Sequence, residues 1–101
     1  MFGKLISSLF KKSVDFKQLV QEGALVLDVR TPQEYKAGHI KGSKNIPLQN
    51  IKNQLKNLPE DKVIITCCKS GMRSANAKAI LSKEGYTVYN GGGWMSLRDK
   101  L

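Results

Sequence analysis

Cysteine and histidine are scarce in this chain of 101 residues, with two of the first and one of the second. The two cysteines, Cys67 and Cys68, are neighbours, so they cannot staple distant segments, and a bridge between them would need a strained geometry. A disulfide scaffold is excluded. Long apolar runs are missing as well: no stretch approaches the roughly 20 residues required to span a bilayer. Acidic residues are few, 8 Asp and Glu against 17 Lys and Arg, for a net charge of +9. The lysines are nonetheless scattered singly from Lys4 to Lys100, and only Lys11 and Lys12 adjoin. No compact basic stripe with interleaved aromatics forms, which argues against a nucleic-acid surface. The remaining reading is a solvated basic surface whose field attracts small anions.

Apolar content of 41% and charged content of 25% are those of an ordinary globular protein. The length suits one hydrophobic core, since domains run to roughly 100–150 residues. The boundaries read as an N-terminal extension over residues 1–12 and one domain over 13–101. In the extension, Phe2, Leu5, Ile6, Leu9 and Phe10 fit one helical face. Ser7 and Ser8 break the apolar run and no small-residue cleavage site follows, so packing on the domain or a loose tail is favoured over membrane-surface contact or an export signal.

Helix and strand signals alternate at short spacing, the pattern of an α/β domain with a mainly parallel sheet. Asp15 can cap a short helix carrying Phe16, Leu19 and Val20, which Gly23 ends. Residues 24–29 form a nearly continuous apolar run, as in a strand buried on both faces. Thr31, Pro32 and Glu34 supply the cap, first-turn proline and third-position acid of a helix start. A short strand is predicted around Asn45 and Ile46, and after Pro47 a helix with Leu48, Ile51, Leu55 and Leu58 on one face. The β-branched run Val63-Ile64-Ile65-Thr66 reads as a central strand leading into Cys67 and Cys68. A helix is predicted from about Arg73 to Glu84, burying Ala77, Ile80 and Leu81. A last strand over Tyr86–Tyr89 precedes a turn at Gly91-Gly92-Gly93 and a closing helix with Trp94 and Leu97.

The chemistry is concentrated in Cys68-Lys69-Ser70-Gly71-Met72-Arg73-Ser74, between a buried strand and a helix. Ligands in such folds bind at the carboxyl ends of the strands, where loop N–H groups point into the crevice. A thiol heading that loop meets those donors and a helix N-terminus, both of which favour the thiolate. Gly71 permits the backbone angles of a tight loop around an anion. Arg73 can turn its planar fork to a bound oxyanion or brace loop carbonyls. Lys69 and Ser70 add a charge and a hydroxyl at the rim. Two reactive thiols also suit a reducing compartment, which predicts a cytoplasmic protein.

Cys68-Lys69-Ser70-Gly71-Met72-Arg73 resembles the C-x-x-G-x-R active loop of rhodanese domains. Further pieces follow in that family's order: Leu27-Asp28-Val29-Arg30, Glu34-Tyr35, Gly38-His39-Ile40 with Lys41-Gly42, Asn45-Ile46-Pro47, and Gly92-Gly93-Trp94. The loop motif alone is weak; the ordered set, over residues 15 to 98, is strong. The resemblance implies an α/β fold with a five-stranded, mainly parallel sheet. It also implies a sulfurtransferase in which Cys68 takes sulfur from a donor such as thiosulfate, becomes a persulfide, and passes the sulfur to a thiol, cyanide or a sulfur-accepting protein. Residues Lys69 to Arg73 would bind the anionic donor, and no metal or organic cofactor is needed. Asp28 and Arg30 read as polar bracing of the loop. His39 reads as part of a packing turn and Trp94 as core.

Counted from Cys67, the same stretch is Cys67-x5-Arg73, the spacing of cysteine phosphatases and arsenate reductases related to this fold. Three features favour Cys68 as the nucleophile: Thr66 stands where the phosphatase pattern carries histidine, Gly71 falls at the rhodanese position, and Cys67 takes a strand position that suits a small buried hydrophobe. Its adjacency also raises a redox role, protecting Cys68 by transient pairing. A non-catalytic interaction module is the third reading, and its usual mark is loss of the loop cysteine.

Overall fold

The computed structural model describes residues 13–101; residues 1–12, and with them the predicted amphipathic extension, lie outside the described residues. Helix α1 (Phe16–Gln21) starts where the Asp15 carboxylate accepts the Gln18 N–H. Strand β1 (Leu25–Asp28) follows, then α2 (Pro32–Ala37), which opens on a full capping box between Thr31 and Glu34. Strand β2 is short (Lys44–Asn45). Strand β3 (Ile64–Cys68) leads into α3 (Met72–Lys83), and β4 (Val88–Gly93) into α4 (Trp94–Lys100).

The sheet is parallel throughout, in the order β2-β1-β3-β4. Successive side chains of a strand point to opposite faces, so β3 feeds two cores. Ile64 and Cys68 face one core with Leu27, Val29, Ile46, Ile51, Ala77 and Leu81. Ile65 and Cys67 face the other with Phe16, Val26, Ile40 and Leu97. Coverage of both faces is what lets β1 and β3 bury apolar side chains on both sides of the sheet.

Three expectations need correction. The fifth strand implied by the resemblance has no counterpart among the described residues: α1 precedes β1, and the sheet holds four strands. The helix expected after Pro47 is two 3-10 segments, Leu48–Asn50 and Lys52–Asn57, with Gln54 off helical angles. Asn50, Asn53 and Asn57 lie in this stretch, and short amide side chains compete for backbone partners within a helix. The apolar face still packs, with Ile51 and Leu58 buried. Finally, Gly91-Gly92-Gly93 continues β4 instead of ending it. A side chain there would collide with its neighbours: a Cβ on Gly91 would come within 2.9 Å of Thr66 O, and one on Gly93 within 2.9 Å of Lys69 O. These glycines let β4 lie against the β3 terminus and the loop after it.

Candidate active site

Strand β3 ends at Cys68, and the chain reverses into α3 through Lys69, Ser70 and Gly71. Gly71 has φ +109°, a left-handed conformation open to glycine at no steric cost. That turn points backbone donors inward. The Gly71 N–H lies 3.0 Å and the Ser74 N–H 3.4 Å from Cys68 Sγ, and the Ser70 N–H contributes as well. Ser74 Oγ stands 3.4 Å from the same sulfur. Burial pushes the Cys68 thiol up, and these hydrogen bonds, led by those from Ser74, outweigh it, so its pKa falls below the ordinary thiol value.

Cys67 sits on the other face of the sheet, fully buried beside Asp28, its neighbour across the β1–β3 ladder. Burial first, and then the Asp28 charge, push the Cys67 thiol up to about 12. A buried thiol held neutral in this way is not a nucleophile at physiological pH. Because the two side chains point to opposite faces, they also cannot pair without unravelling the end of β3. The geometry therefore gives no support to protection of Cys68 by Cys67, nor to Cys67 as the head of an anion loop.

Asp28 and Arg30 form a buried, multiply bonded pair. Arg30 Nε and an Nη donate to the Asp28 carboxylate, the shortest contact being 2.7 Å, and the Arg30 N–H reaches the same carboxylate at 3.0 Å. The remaining guanidinium donors bind Gly38 O and Glu34 O, and the Trp94 ring lies 4.6 Å away. This ties the end of β1 to α2 and to the Gly38 turn, and it reaches the cysteine loop through the sheet and through Glu34.

Arg73 points its fork at Glu34, with N–O distances of 2.8 and 3.1 Å. The Glu34 carboxylate also accepts Thr31 N–H, so one acid caps α2 and anchors the start of α3. The Arg73 guanidinium, and after it the Thr31 N–H, hold Glu34 down at about 2, against an ordinary value of 4.5. Lys69, Ser70 and Met72 are exposed at the rim of the loop, with Met72 77% accessible. His39 lies apart from Cys68, stacked on Tyr35 with its Nδ1 2.7 Å from Tyr35 O.

Two contributors escaped the sequence reading. Glu34 was legible as a capping acid but not as the partner of Arg73. Asn90 carried no signal at all. Its side chain crosses from β4 to Ser74 and Gly71, a juxtaposition that exists only once β4 has paired with β3.

Residues 13–99 match the rhodanese-like domain family. The chain belongs to that family. The thiosulfate sulfurtransferase PspE of Escherichia coli is 41% identical over 70 residues, covering 66% of this chain and 67% of its own. The Bacillus subtilis protein YqhL is 40% identical over 68 residues, and this chain spans about half of its length, 54%. Among solved structures, an Escherichia coli rhodanese with anions matches at 34% identity and a TM-score of 0.68, covering 73% of this chain and 91% of that one. The motif that this rhodanese-like chain carries at Cys68–Arg73 is thus embedded in the fold that its relatives share.

Proposed function

We propose that the chain is a sulfurtransferase in which Cys68 carries sulfur as a persulfide. The observation that supports this best is the thiol at the head of a turn of inward-pointing N–H groups, with Gly71 N at 3.0 Å. Similarity to a thiosulfate sulfurtransferase and to a rhodanese bound to anions points the same way.

In the first step the Cys68 thiolate attacks the outer sulfur of a small anionic donor such as thiosulfate. The Sγ–S bond forms as the donor's S–S bond breaks, and sulfite leaves with that electron pair. In the second step a thiol, cyanide or a sulfur-accepting protein attacks the outer sulfur, and the Sγ–S pair returns to Sγ. Dividing the transfer at a covalent intermediate predicts ping-pong kinetics. Lys69 and Ser70 meet the donor at the rim, Gly71 offers its N–H, and Met72 presents an apolar contact. Arg73, engaged by Glu34, contributes positive charge and fixes the loop's exit, while Asp28 and Arg30 brace the strand end.

The test is intact mass after incubation with thiosulfate. A gain of one sulfur atom that is absent in Cys68→Ser and removed by cyanide is the expected result. No mass gain, or turnover of an arylphosphate or arsenate instead, would overturn the proposal.

A further inference from the structure

Behind the Cys68 loop, one side chain from β4 gathers three contacts. Asn90 Oδ1 accepts the Gly92 N–H at 2.9 Å and lies 2.7 Å from Ser74 Oγ, and Asn90 Nδ2 donates to Gly71 O at 3.3 Å. The amide orientation follows from the Gly92 N–H, which needs an acceptor and so places Oδ1 rather than Nδ2 beside it. Ser74 is fully buried, with its Oγ also 3.0 Å from Gly71 O and 3.4 Å from Cys68 Sγ.

A hydroxyl has a single proton to donate. Gly71 O already accepts two donors, the Ala75 N–H at 3.0 Å and Asn90 Nδ2 at 3.3 Å, so the competition is between Asn90 Oδ1 and the sulfur. A neutral Cys68 thiol brings its own proton and can donate it to Ser74 Oγ, leaving the hydroxyl on Asn90. A thiolate has no proton and needs the one from Ser74.

We propose that Asn90 is a positioning residue acting through Ser74, whose hydroxyl proton turns to Cys68 Sγ when that sulfur is a thiolate and to Asn90 Oδ1 when it is uncharged. This rests on the reading of Cys68 as the sulfur carrier. In the free enzyme the hydroxyl faces the thiolate. When the Sγ–S bond forms and sulfite departs, Sγ becomes neutral, the charge moves to the outer persulfide sulfur, and the hydroxyl swings back to Asn90. When the acceptor removes the outer sulfur, the electron pair returns to Sγ and the hydroxyl turns again. The O–H bond never breaks, and the Gly92 N–H keeps Asn90 Oδ1 occupied throughout. By competing for that proton Asn90 keeps the thiolate from being held too tightly, which matters because nucleophilicity falls as a thiol becomes more acidic. The other ionisable groups around Cys68 are Lys69 in the loop, Arg73 with Glu34, and Cys67 with Asp28 across the sheet, all unchanged in the variants below.

The experiment is a titration of thiolate ultraviolet absorbance in the full chain, Asn90→Ala, Ser74→Ala and the double variant. Asn90→Ala is expected to move the Cys68 midpoint to lower pH, giving at least about twofold more fast-reacting thiolate below the midpoint. Ser74→Ala should move it up, and adding Asn90→Ala to Ser74→Ala should change nothing. A merely structural Asn90 would instead loosen the loop donors and raise the midpoint in both backgrounds. An unchanged or raised midpoint in Asn90→Ala, or an equal shift in both backgrounds, overturns the proposal. Should Asn90→Ala fail to fold, Asn90→Asp keeps the size and accepts more strongly: its upward shift must be larger with Ser74 present than without, and equal shifts overturn the proposal. Failure of the sulfur-carrier reading is seen separately, as no sulfur gain in the unaltered chain.

Discussion

At neutral pH the Cys67 thiol stays protonated, since burial and the Asp28 carboxylate push it up to about 12, whereas the loop donors lower Cys68. Iodoacetamide should therefore label Cys68 in the folded protein and reach Cys67 only on unfolding, as peptide-resolved mass spectrometry can read. Labelling of Cys68 should rise with pH through a midpoint below that of an ordinary thiol, because the reactive species is the thiolate and the loop donors favour it. Cys67→Ala should keep most sulfur transfer from thiosulfate to cyanide; a dead variant would return the phosphatase spacing to consideration. The expectation that Cys68 rather than Cys67 is the nucleophile rests on Thr66, Gly71 and the strand position of Cys67, all within one short stretch. The Ser74–Asn90 contact was not legible in the sequence, because it joins residues sixteen positions apart through strand pairing.

Two ion pairs fasten the elements that frame the loop, and they differ in kind. Asp28 and Arg30 are both buried, and deleting one partner strands the other's charge. Arg30→Ala should therefore cost about 3–5 kcal/mol in urea unfolding. Glu34 and Arg73 are about one-third exposed, at 32% and 34%, so their pair is partly screened by solvent. Arg73→Ala should cost about 1 kcal/mol or less of stability while lowering sulfur transfer more than Arg73→Lys does. The Glu34 carboxylate is held below its unfolded value, so its contribution is complete above pH 4.5 and is lost as pH falls toward about 2. Stability of Glu34→Gln and the parent should accordingly converge in that acid window, which paired urea titrations at several pH values would reveal. Element types around these pairs were readable from caps and periodicity. The 3-10 segments and the glycine end of β4 were not, because a glycine run signals a turn locally and shows its packing purpose only against Thr66 and Lys69.

Across the whole molecule the charge of +9 acts at longer range. If it draws an anionic donor inward, kcat/KM for thiosulfate should fall as salt rises, because the screening length shrinks from about 30 Å at 0.01 M to about 8 Å at 0.15 M. A rate independent of salt would confine donor capture to the loop itself. Cys68 is also only 1% accessible, so alkylation should slow with reagent size more steeply than for a free thiol. The residues that surround its sulfur come from β3, the loop, α3 and β4, and they are braced from β1 and α2. Together these elements run from β1 to β4, residues 25–93 of the chain. Thiolate absorbance should thus report on the entire fold: in a denaturant series it should vanish in the same transition as the circular dichroism of the helices, so the spectrum of one sulfur atom would serve as a measure of global cooperativity.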